Sequence, residues 1–268
     1  MTLKYHQAIF DLLEVEPIID SNRLAEITAI EEAYDIKLPE AIKEYFLIAN
    51  MLDTLFQFSV FLEVNPLYLF GQTDSFDGLN DKNLELLKSR KIIPLFCERG
   101  RDWTWFLNLK NQDADPKILL HTQLFPDMLI SHPHKFSKQL LLSVWDALVM
   151  QPQLSGFYVQ GEHKSPDTKT LLLLRSNMQE ISTSFILVSN ETTYRFQRQN
   201  SFIAIVDNGQ TATWYFYADF LPNLEKLLSF IKKVKGLIPV LKPMAWKKVA
   251  NEHNKKTMVI ERILSEYS

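Results

Sequence analysis

The chain has 268 residues, of which 46% are hydrophobic and 12% aromatic, and its formal net charge is −3. This composition excludes a largely disordered protein, and the seven glycines argue against glycine-rich cofactor loops as a main feature. The length fits one large domain or two ordinary ones. No uninterrupted apolar run approaches the ~20 residues of a membrane span, and the N-terminus lacks a signal-peptide pattern, so we expect a cytoplasmic protein.

Charge is distributed unevenly along the chain. Residues 1–150 hold 22 acidic and 14 basic residues, a net charge of −8, whereas residues 151–268 hold 10 acidic and 15 basic residues, a net charge of +5. Such an asymmetry indicates two modules with different surfaces. We therefore predict domains at 1–150 and 169–268, joined by a polar, turn-rich connection over 151–168.

Three helices are predicted within the first fifty residues, over 3–13, 22–35 and 39–50. Leu38 precedes a proline and is therefore pushed toward extended geometry, whereas Pro39 suits the first turn of a helix because no amide hydrogen is needed there. The pattern is thus a helix, a sharp corner and a second helix. The apolar stripe of the helix over 22–35 is formed by Leu24, Ile27, Ile30 and Tyr34.

After residue 50 the apolar pattern changes to that of strands, and a helix closes the first half of the chain. The predicted strands are 55–64, 66–70, 92–98, 103–109 and 117–124, and the predicted helices are 83–91 and 136–151. An order of helices, then strands, then a helix is typical of an α+β fold with a mostly antiparallel sheet, not of repeating βαβ units.

The second half is predicted to be a β-rich unit with one long helix. The predicted strands are 170–176, 181–189, 192–199, 201–207 and 212–218, and the predicted helices are 221–237 and 257–267. Asp207-Asn208-Gly209 is a tight-turn signal between two of these strands. No family is identified for this half.

The order of features in residues 20–150 carries a resemblance to a known superfamily. These features are the Ile30-Glu31 helix, the Lys37-Leu38-Pro39 corner, the Tyr45-Phe46-Leu47 helix ending at Asn50, the Ile93-Pro94 strand, the turn with Gly100 and Asp102, the strand DWTWFLNL and the closing helix from Phe136. In this order they resemble the SUKH superfamily, also called SMI1/KNR4 domains. The chain departs from the family after Asn50, where Met51 stands in place of glycine.

The resemblance implies a role as well as a fold. Bacterial members of the superfamily are similar to immunity proteins, which bind and neutralise toxins, often nucleases, and fungal members resemble signalling scaffolds. Neither role involves catalysis or a cofactor. The resemblance therefore implies a non-catalytic protein-binding module, most plausibly an immunity protein. A signalling scaffold and an enzyme of unrecognised type are the alternatives.

Two polar turns that contain aromatic residues form the predicted partner-binding surface. Loops supported by a rigid sheet are where binding residues concentrate. Toxin nucleases are often basic because they grip phosphates, so an acidic inhibitor surface is steered to them. The predicted partner-binding residues are Asp74, Phe76, Asp77, Asp81, Glu98, Arg101, Asp102 and Trp103. An ordinary solvated turn is the alternative for any single one of them.

Motifs for catalysis or metal binding are not found in the sequence. The chain contains no G-x-S-x-G elbow and no phosphate-binding P-loop. His132 and His134 flank Pro133 without further ligands at a recognisable spacing, so we interpret this stretch as a surface turn and not as a metal site. Cys97 is interpreted as a small core residue, and the lysine-rich stretch 232–256 as a solvated helix end and tail. We predict no enzyme activity, no metal and no cofactor.

Overall fold

The computed structural model describes residues 3–51, 80–89, 91–97, 103–110, 112–122, 125, 127–151, 156–186, 189–244 and 250–268. Within those ranges the chain forms eight α-helices and ten β-strands in two antiparallel sheets, which confirms the predicted α+β class. The strands predicted over 55–64 and 66–70 lie outside the described residues. None of the described helices is long and apolar enough to cross a membrane.

The bounds of the elements follow in chain order. The helices are α1 Gln7–Leu13, α2 Arg23–Tyr34, α3 Glu40–Leu47, α4 Asp81–Lys88, α5 Phe136–Met150, α6 Thr168–Asn177, α7 Leu221–Ile231 and α8 Ala250–Tyr267. The strands are β1 Ile92–Cys97, β2 Trp103–Asn108, β3 Lys117–Thr122, β4 Ile130–Lys135, β5 Phe157–Lys164, β6 Gln179–Ile186, β7 Glu191–Arg198, β8 Ser201–Asp207, β9 Thr211–Ala218 and β10 Lys242–Pro243. A short 3₁₀ helix, Ile238–Val240, precedes β10.

The chain divides into two compact units, Met1–Trp145 and Asp146–Ser268, and the boundary falls within α5. The connection predicted over 151–168 includes β5, which pairs along its whole length with β9. At Gly161 of β5 an added Cβ would lie 2.7 Å from the carbonyl oxygen of Val240. Part of the predicted connection is therefore strand β5 of the second sheet. At Gly161 this strand packs too closely against Val240 for a side chain.

The sheet of the first unit has two apolar faces. Strands β1 to β4 follow one another as an antiparallel meander. Alternate residues of a strand point to opposite faces, so Ile93 of β1 belongs to a core shared with α1, α3 and the first turns of α5, whereas Ile92 packs with Phe106 and with Leu87 of α4. Helices therefore cover both faces of this sheet.

A buried carboxylate holds the corner between α2 and α3. The backbone N–H of Leu38 donates to Oε1 of Glu31 at 2.7 Å, and Nζ of Lys43 lies 2.8 Å from the same oxygen. Leu38 is buried, as the corner requires, and so is Ile27 on the inner side of α2. Leu24, predicted in the same apolar stripe, is 53% exposed. The buried face of α2 thus begins one turn later than the sequence pattern indicates.

The second unit is a six-stranded antiparallel sheet in the order β10-β5-β9-β8-β7-β6. Strands β6 to β9 form a meander, and the predicted turn between β8 and β9 is confirmed, with Oδ1 of Asn208 accepting from the N–H of Thr211 at 2.9 Å. Trp214 and Phe216 of β9 are fully buried. Apolar residues of α7 and α8, such as Leu228 and Ile263, belong to the same core.

Two further sequence interpretations are wrong in the structure. The leucine run 170–176, interpreted as a strand, lies in helix α6, because the Asp167 carboxylate accepts from the N–H of Thr170 at 2.8 Å and so caps a helix N-terminus. The stretch around Pro133, interpreted as a surface turn, is strand β4 at the end of the described sheet. Proline is tolerated in such a position because an edge strand has amides without a ladder partner.

Candidate protein-binding surface

The predicted partner-binding residues lie only partly in the described structure. Asp81 is described with its side chain, and Trp103 is described by its backbone as the first residue of β2. The other six, Asp74, Phe76, Asp77, Glu98, Arg101 and Asp102, lie outside the described residues. The geometry of the surface is therefore built outward from Asp81.

Asp81 is the first residue of α4 and is exposed to solvent. The preceding residue, Asn80, is the N-cap, and its side-chain oxygen accepts from the N–H of Asn83 at 2.9 Å. Asparagine is a preferred N-cap because it satisfies an amide that lacks an intrahelical partner. A carboxylate in the first turn also interacts favourably with the helix dipole. The sequence around Asp81 thus fixes a helix start that presents negative charge.

The connection between β3 and β4 is held against this helix start. Nδ2 of Asn80 donates to the carbonyl oxygen of Asp127 at 2.7 Å, and Nδ2 of Asn83 lies 3.4 Å from the same oxygen. One asparagine therefore caps α4 and also binds a segment more than forty residues away in the sequence. These bonds bring Asp81 and Asp127, both exposed, to the same place on the first unit.

The β3–β4 connection presents two large apolar side chains to solvent. Phe125 is 41% exposed and Met128 is 49% exposed. The N–H of Met128 donates to the carbonyl oxygen of Phe125 at 3.0 Å and closes a turn between them. Single exposed apolar residues are ordinary, but here two project from one turn beside two carboxylates. We call Asp81, Phe125, Asp127 and Met128 the α4–turn surface.

The α4–turn surface stands on a rigid support. Leu87 of α4, Ile92 of β1 and Phe106 of β2 form a fully buried cluster. Leu129, which follows Met128 directly, packs partly buried against that cluster. A binding surface gains from such support because less conformational freedom is lost when a partner docks.

The charges along α4 are mixed. Along α4, Asp81 and Glu85 are exposed, and so are Lys82 and Lys88. Lys88 is the last residue of α4, whereas Asp127 lies against the N-terminal end of this helix. Asp81, Lys82 and Asp127 thus lie at the N-terminal end of α4, next to the turn that carries Phe125 and Met128.

Sequence reasoning missed three members of this surface, namely Phe125, Asp127 and Met128. A signal was present, because Pro126-Asp127 is turn chemistry flanked by large apolar residues. What the sequence does not show is the bond from Asn80 to Asp127, which links this turn to the start of α4.

The histidines weighed as metal ligands lie on the neighbouring strands β3 and β4. The rings of His132 and His134 lie 5.9 Å apart on β4, and both are half-buried. Within the described part of the chain, no group of three or more His, Cys, Asp or Glu residues could hold a metal ion. The imidazole of His121 is buried with its ring edge-on to Phe106 at 6.5 Å.

Comparisons with family models, curated proteins and solved structures bear on the resemblance stated above. None of the three gives a match. The SUKH assignment therefore stays a prediction, and the α+β class rests on the two sheets of this structure alone. The function has to be argued from the α4–turn surface.

Proposed function

We propose that this protein is a non-catalytic binding module that acts in the cytoplasm and neutralises a toxin domain with a basic surface, such as a nuclease, by direct stoichiometric binding. One observation carries the proposal: the bond from Asn80 to Asp127 assembles exposed apolar and acidic side chains into one surface. The net charge of −8 over residues 1–150 and the SUKH-like order of features support it.

The proposed mechanism is occlusion of the toxin's working surface. Phe125 supplies an aromatic anchor of the kind found at interface centres, and Met128 supplies a flexible apolar contact. Phe76 and Trp103 of the predicted set are further aromatic anchors for the toxin in this proposal. Stoichiometric binding then blocks the toxin without any chemical step.

The carboxylates set the rate of encounter. Asp81 and Asp127, with Asp74, Asp77 and Asp102 of the predicted set, face cations of the toxin in the complex. Opposite charges accelerate diffusional encounter more than they slow dissociation. Raised salt is therefore expected to lower the association rate constant strongly and to change the dissociation rate constant little, as measured by surface plasmon resonance.

The direct test is protection of cells. A toxin domain encoded beside this chain is expressed in a sensitive host with and without this protein, and survival is counted. Protection together with a one-to-one complex on gel filtration supports the proposal. Equal killing in both cultures, with no complex, contradicts it. Binding to several host proteins and to no toxin favours the scaffold alternative.

Matched charge reversals locate the interface. Asp81→Lys combined with Asp127→Lys reverses both carboxylates of the α4–turn surface and is expected to weaken toxin binding at least about tenfold. Glu16→Lys combined with Glu26→Lys changes the net charge equally at exposed positions elsewhere in the first unit. Equal loss of affinity in both double variants would show that net charge alone, and not this surface, is recognised.

A further inference from the structure

The turn between β8 and β9 carries the only Asn-Gly dipeptide of the chain, Asn208-Gly209. Both residues are exposed, and so is Gln210 after them. Gly209 has a left-handed backbone with φ of 89°, and a Cβ added there would meet nothing within 4 Å. Glycine adopts such a backbone without steric cost. The dipeptide is therefore open to solvent.

An asparagine followed by glycine can react with its own backbone. The glycine nitrogen attacks Cγ of the asparagine side chain and forms a nitrogen–carbon bond. The side-chain nitrogen leaves as ammonia, which carries away the proton of the attacking N–H. The product is a cyclic succinimide, and water opens this ring to aspartate or to isoaspartate. Glycine favours the reaction because no side chain crowds its nitrogen, and no cofactor, oxidant or reductant takes part.

The side-chain carbonyl of Asn208 is held by two backbone donors. Its Oδ1 accepts from the N–H of Gln210 at 3.0 Å and from the N–H of Thr211 at 2.9 Å. Negative charge develops on this oxygen when Cγ is attacked. Hydrogen-bond donors that already point at such an oxygen stabilise the transition state. The turn therefore polarises the carbonyl at which the ring closes.

A carboxylate lies at the attacking nitrogen. The N–H of Gly209 donates to Oδ1 of Asp207 at 2.9 Å. The hydroxyl of Ser165 donates to the same oxygen at 2.5 Å and so orients the carboxylate. A general base has to lie within hydrogen-bond reach of the proton that it takes. Asp207 meets this condition for the nitrogen of Gly209.

We propose that Asn208 is a site of spontaneous modification, converted through a succinimide to isoaspartate and aspartate, with Asp207 as the general base for the Gly209 nitrogen. Isoaspartate adds a methylene to the backbone of the turn, and either product places a new negative charge beside Asp207. Because β8 and β9 are inner strands of the six-stranded sheet, a loosened turn between them weakens the second unit. This site is independent of the α4–turn surface and of the toxin-neutralising role.

Ageing of the full-length protein tests the proposal. The folded protein is incubated for weeks at neutral pH and digested under mildly acidic conditions that suppress the reaction. Mass spectrometry with electron-transfer fragmentation then distinguishes isoaspartate from aspartate, and conversion is expected at Asn208 ahead of every other asparagine. Asn200 is the internal control, because it also precedes a small residue, Ser201, which is buried at the start of β8. No conversion at Asn208, or equal conversion at Asn200 and Asn208, overturns the proposal.

Variants separate assistance by the turn from the reactivity of the dipeptide alone. Asp207→Asn keeps an oxygen that can accept from Gly209 but removes the base, so conversion at Asn208 should slow at least about threefold. Asn208→Ser cannot form the ring, although its hydroxyl can still bond to the backbone of the turn. The urea midpoint of the parent protein should therefore fall with ageing, and that of Asn208→Ser should not.

Circular dichroism checks the fold of each variant, and Asp207→Ser is the second variant if Asp207→Asn unfolds. Unchanged conversion at Asn208 without the Asp207 carboxylate overturns the proposal. An equal fall of the urea midpoint in the parent protein and in Asn208→Ser overturns it as well, because the loosening would then not come from this turn.

Discussion

At the scale of single residues, two buried titratable groups fix the N-terminal part of the first unit. Glu31 is 7% exposed and accepts hydrogen bonds at the corner between α2 and α3. His6 is fully buried against α3, where its Nε2 lies 2.8 Å from the carbonyl oxygen of Ala41. The titration of each group makes the free energy of unfolding depend on pH, and the two groups act over different pH ranges.

Glu31→Gln tests the corner. Burial by itself raises the pKa of the Glu31 carboxyl, but the bonds from Lys43 and Leu38 outweigh it, so the pKa lies below its ordinary value. The ionised group therefore stabilises the fold above the unfolded-state pKa of about 4.3, and this stabilisation is lost as pH falls through the lower folded-state pKa. At neutral pH we expect the substitution to lower the free energy of unfolding by about 1–3 kcal/mol.

Urea unfolding at a series of pH values measures this effect. Between about pH 5 and pH 3 the variant should lose less stability than the parent protein, because it lacks the titrating group. Glu26→Gln, on the exposed side of the same helix, is the control and should behave as the parent does. A Glu31→Gln variant with parental stability at all pH values would contradict the role of the carboxylate.

His6→Gln tests the second group. Burial lowers the pKa of His6, while the bond to Ala41 and the carboxylates of Glu44 and Asp115 oppose that lowering. The carbonyl oxygen of Ala41 can only accept a hydrogen bond, so Nε2 of the neutral His6 ring carries the proton. A second proton would therefore bind at Nδ1. Nδ1 has no hydrogen-bond partner among the described residues. As the pH falls, the unfolded chain binds a proton at His6 at a higher pH than the folded chain does. The free energy of unfolding therefore decreases as the pH drops below about 6.5.

The prediction for His6 concerns a difference between two profiles. For the parent protein, the urea concentration at the unfolding midpoint should decrease as the pH is lowered from about 6.5 to about 5. For His6→Gln this decrease should be smaller. His163→Gln, at a half-buried position of the second unit, should keep the parental profile. Parallel profiles for the parent and His6→Gln would show that His6 does not contribute to acid sensitivity.

At the scale of elements, α6 shows how a capping residue decides between helix and strand. By sequence pattern the leucines of this segment fit either structure. In the structure Leu174 is buried while Leu172 is 57% exposed, a difference expected for a helix, because in a strand these two residues would share one face. The carboxylate of Asp167 accepts from the N–H of Thr170 at 2.8 Å and satisfies an amide that a strand would have paired elsewhere. One polar side chain before the run thus selects the helix.

Asp167→Ala removes this cap. We expect the free energy of unfolding to fall by about 0.5–2 kcal/mol, because the amide of Thr170 loses its partner at the first turn. Asp167→Ser is the matched control, since a serine hydroxyl can accept the same bond and should retain most of the stability. Guanidinium unfolding followed by circular dichroism measures both, and equal loss in the two variants would contradict capping.

At the scale of the whole molecule, a buried arginine of the second sheet is paired with a carboxylate of α5. Arg195 of β7 is 3% exposed, and its Nε and Nη2 lie 2.6 and 2.7 Å from the two carboxylate oxygens of Asp146. Asp146 is the first residue of the second unit, although it lies on α5. This pair therefore ties Asp146 of α5 to strand β7 of the second sheet.

Asp146→Ala tests the pair. Burial raises the pKa of the Asp146 carboxyl and the bonds from Arg195 oppose that rise. Removing the carboxylate leaves the guanidinium buried with the hydroxyl of Ser184 and a backbone carbonyl, so we expect a loss on the order of 3 kcal/mol. Glu266→Ala, which breaks an exposed pair with Arg262, should cost about 0–1 kcal/mol. Similar losses in both variants, measured by guanidinium unfolding, would contradict this account.

The sequence by itself determined the features that depend on neighbouring residues. The α+β class, the corner at Leu38 and Pro39, the helices near 22–35 and 136–151, and the turn at Asp207–Gly209 follow from local spacing and turn chemistry, and the structure has all of them. Helix and strand periods are set within a few residues, which is why a pattern can predict them.

Only the tertiary structure decided the features that depend on distant residues. The strand at Pro133 exists because β3 offers a neighbour, and β5 exists because β9 pairs with it. The α4–turn surface exists because the Asn80 amide reaches the carbonyl of Asp127, and no local pattern encodes that bond. A hydrogen bond between segments far apart in the chain depends on the packing of everything between them, and so it becomes visible only in the folded molecule.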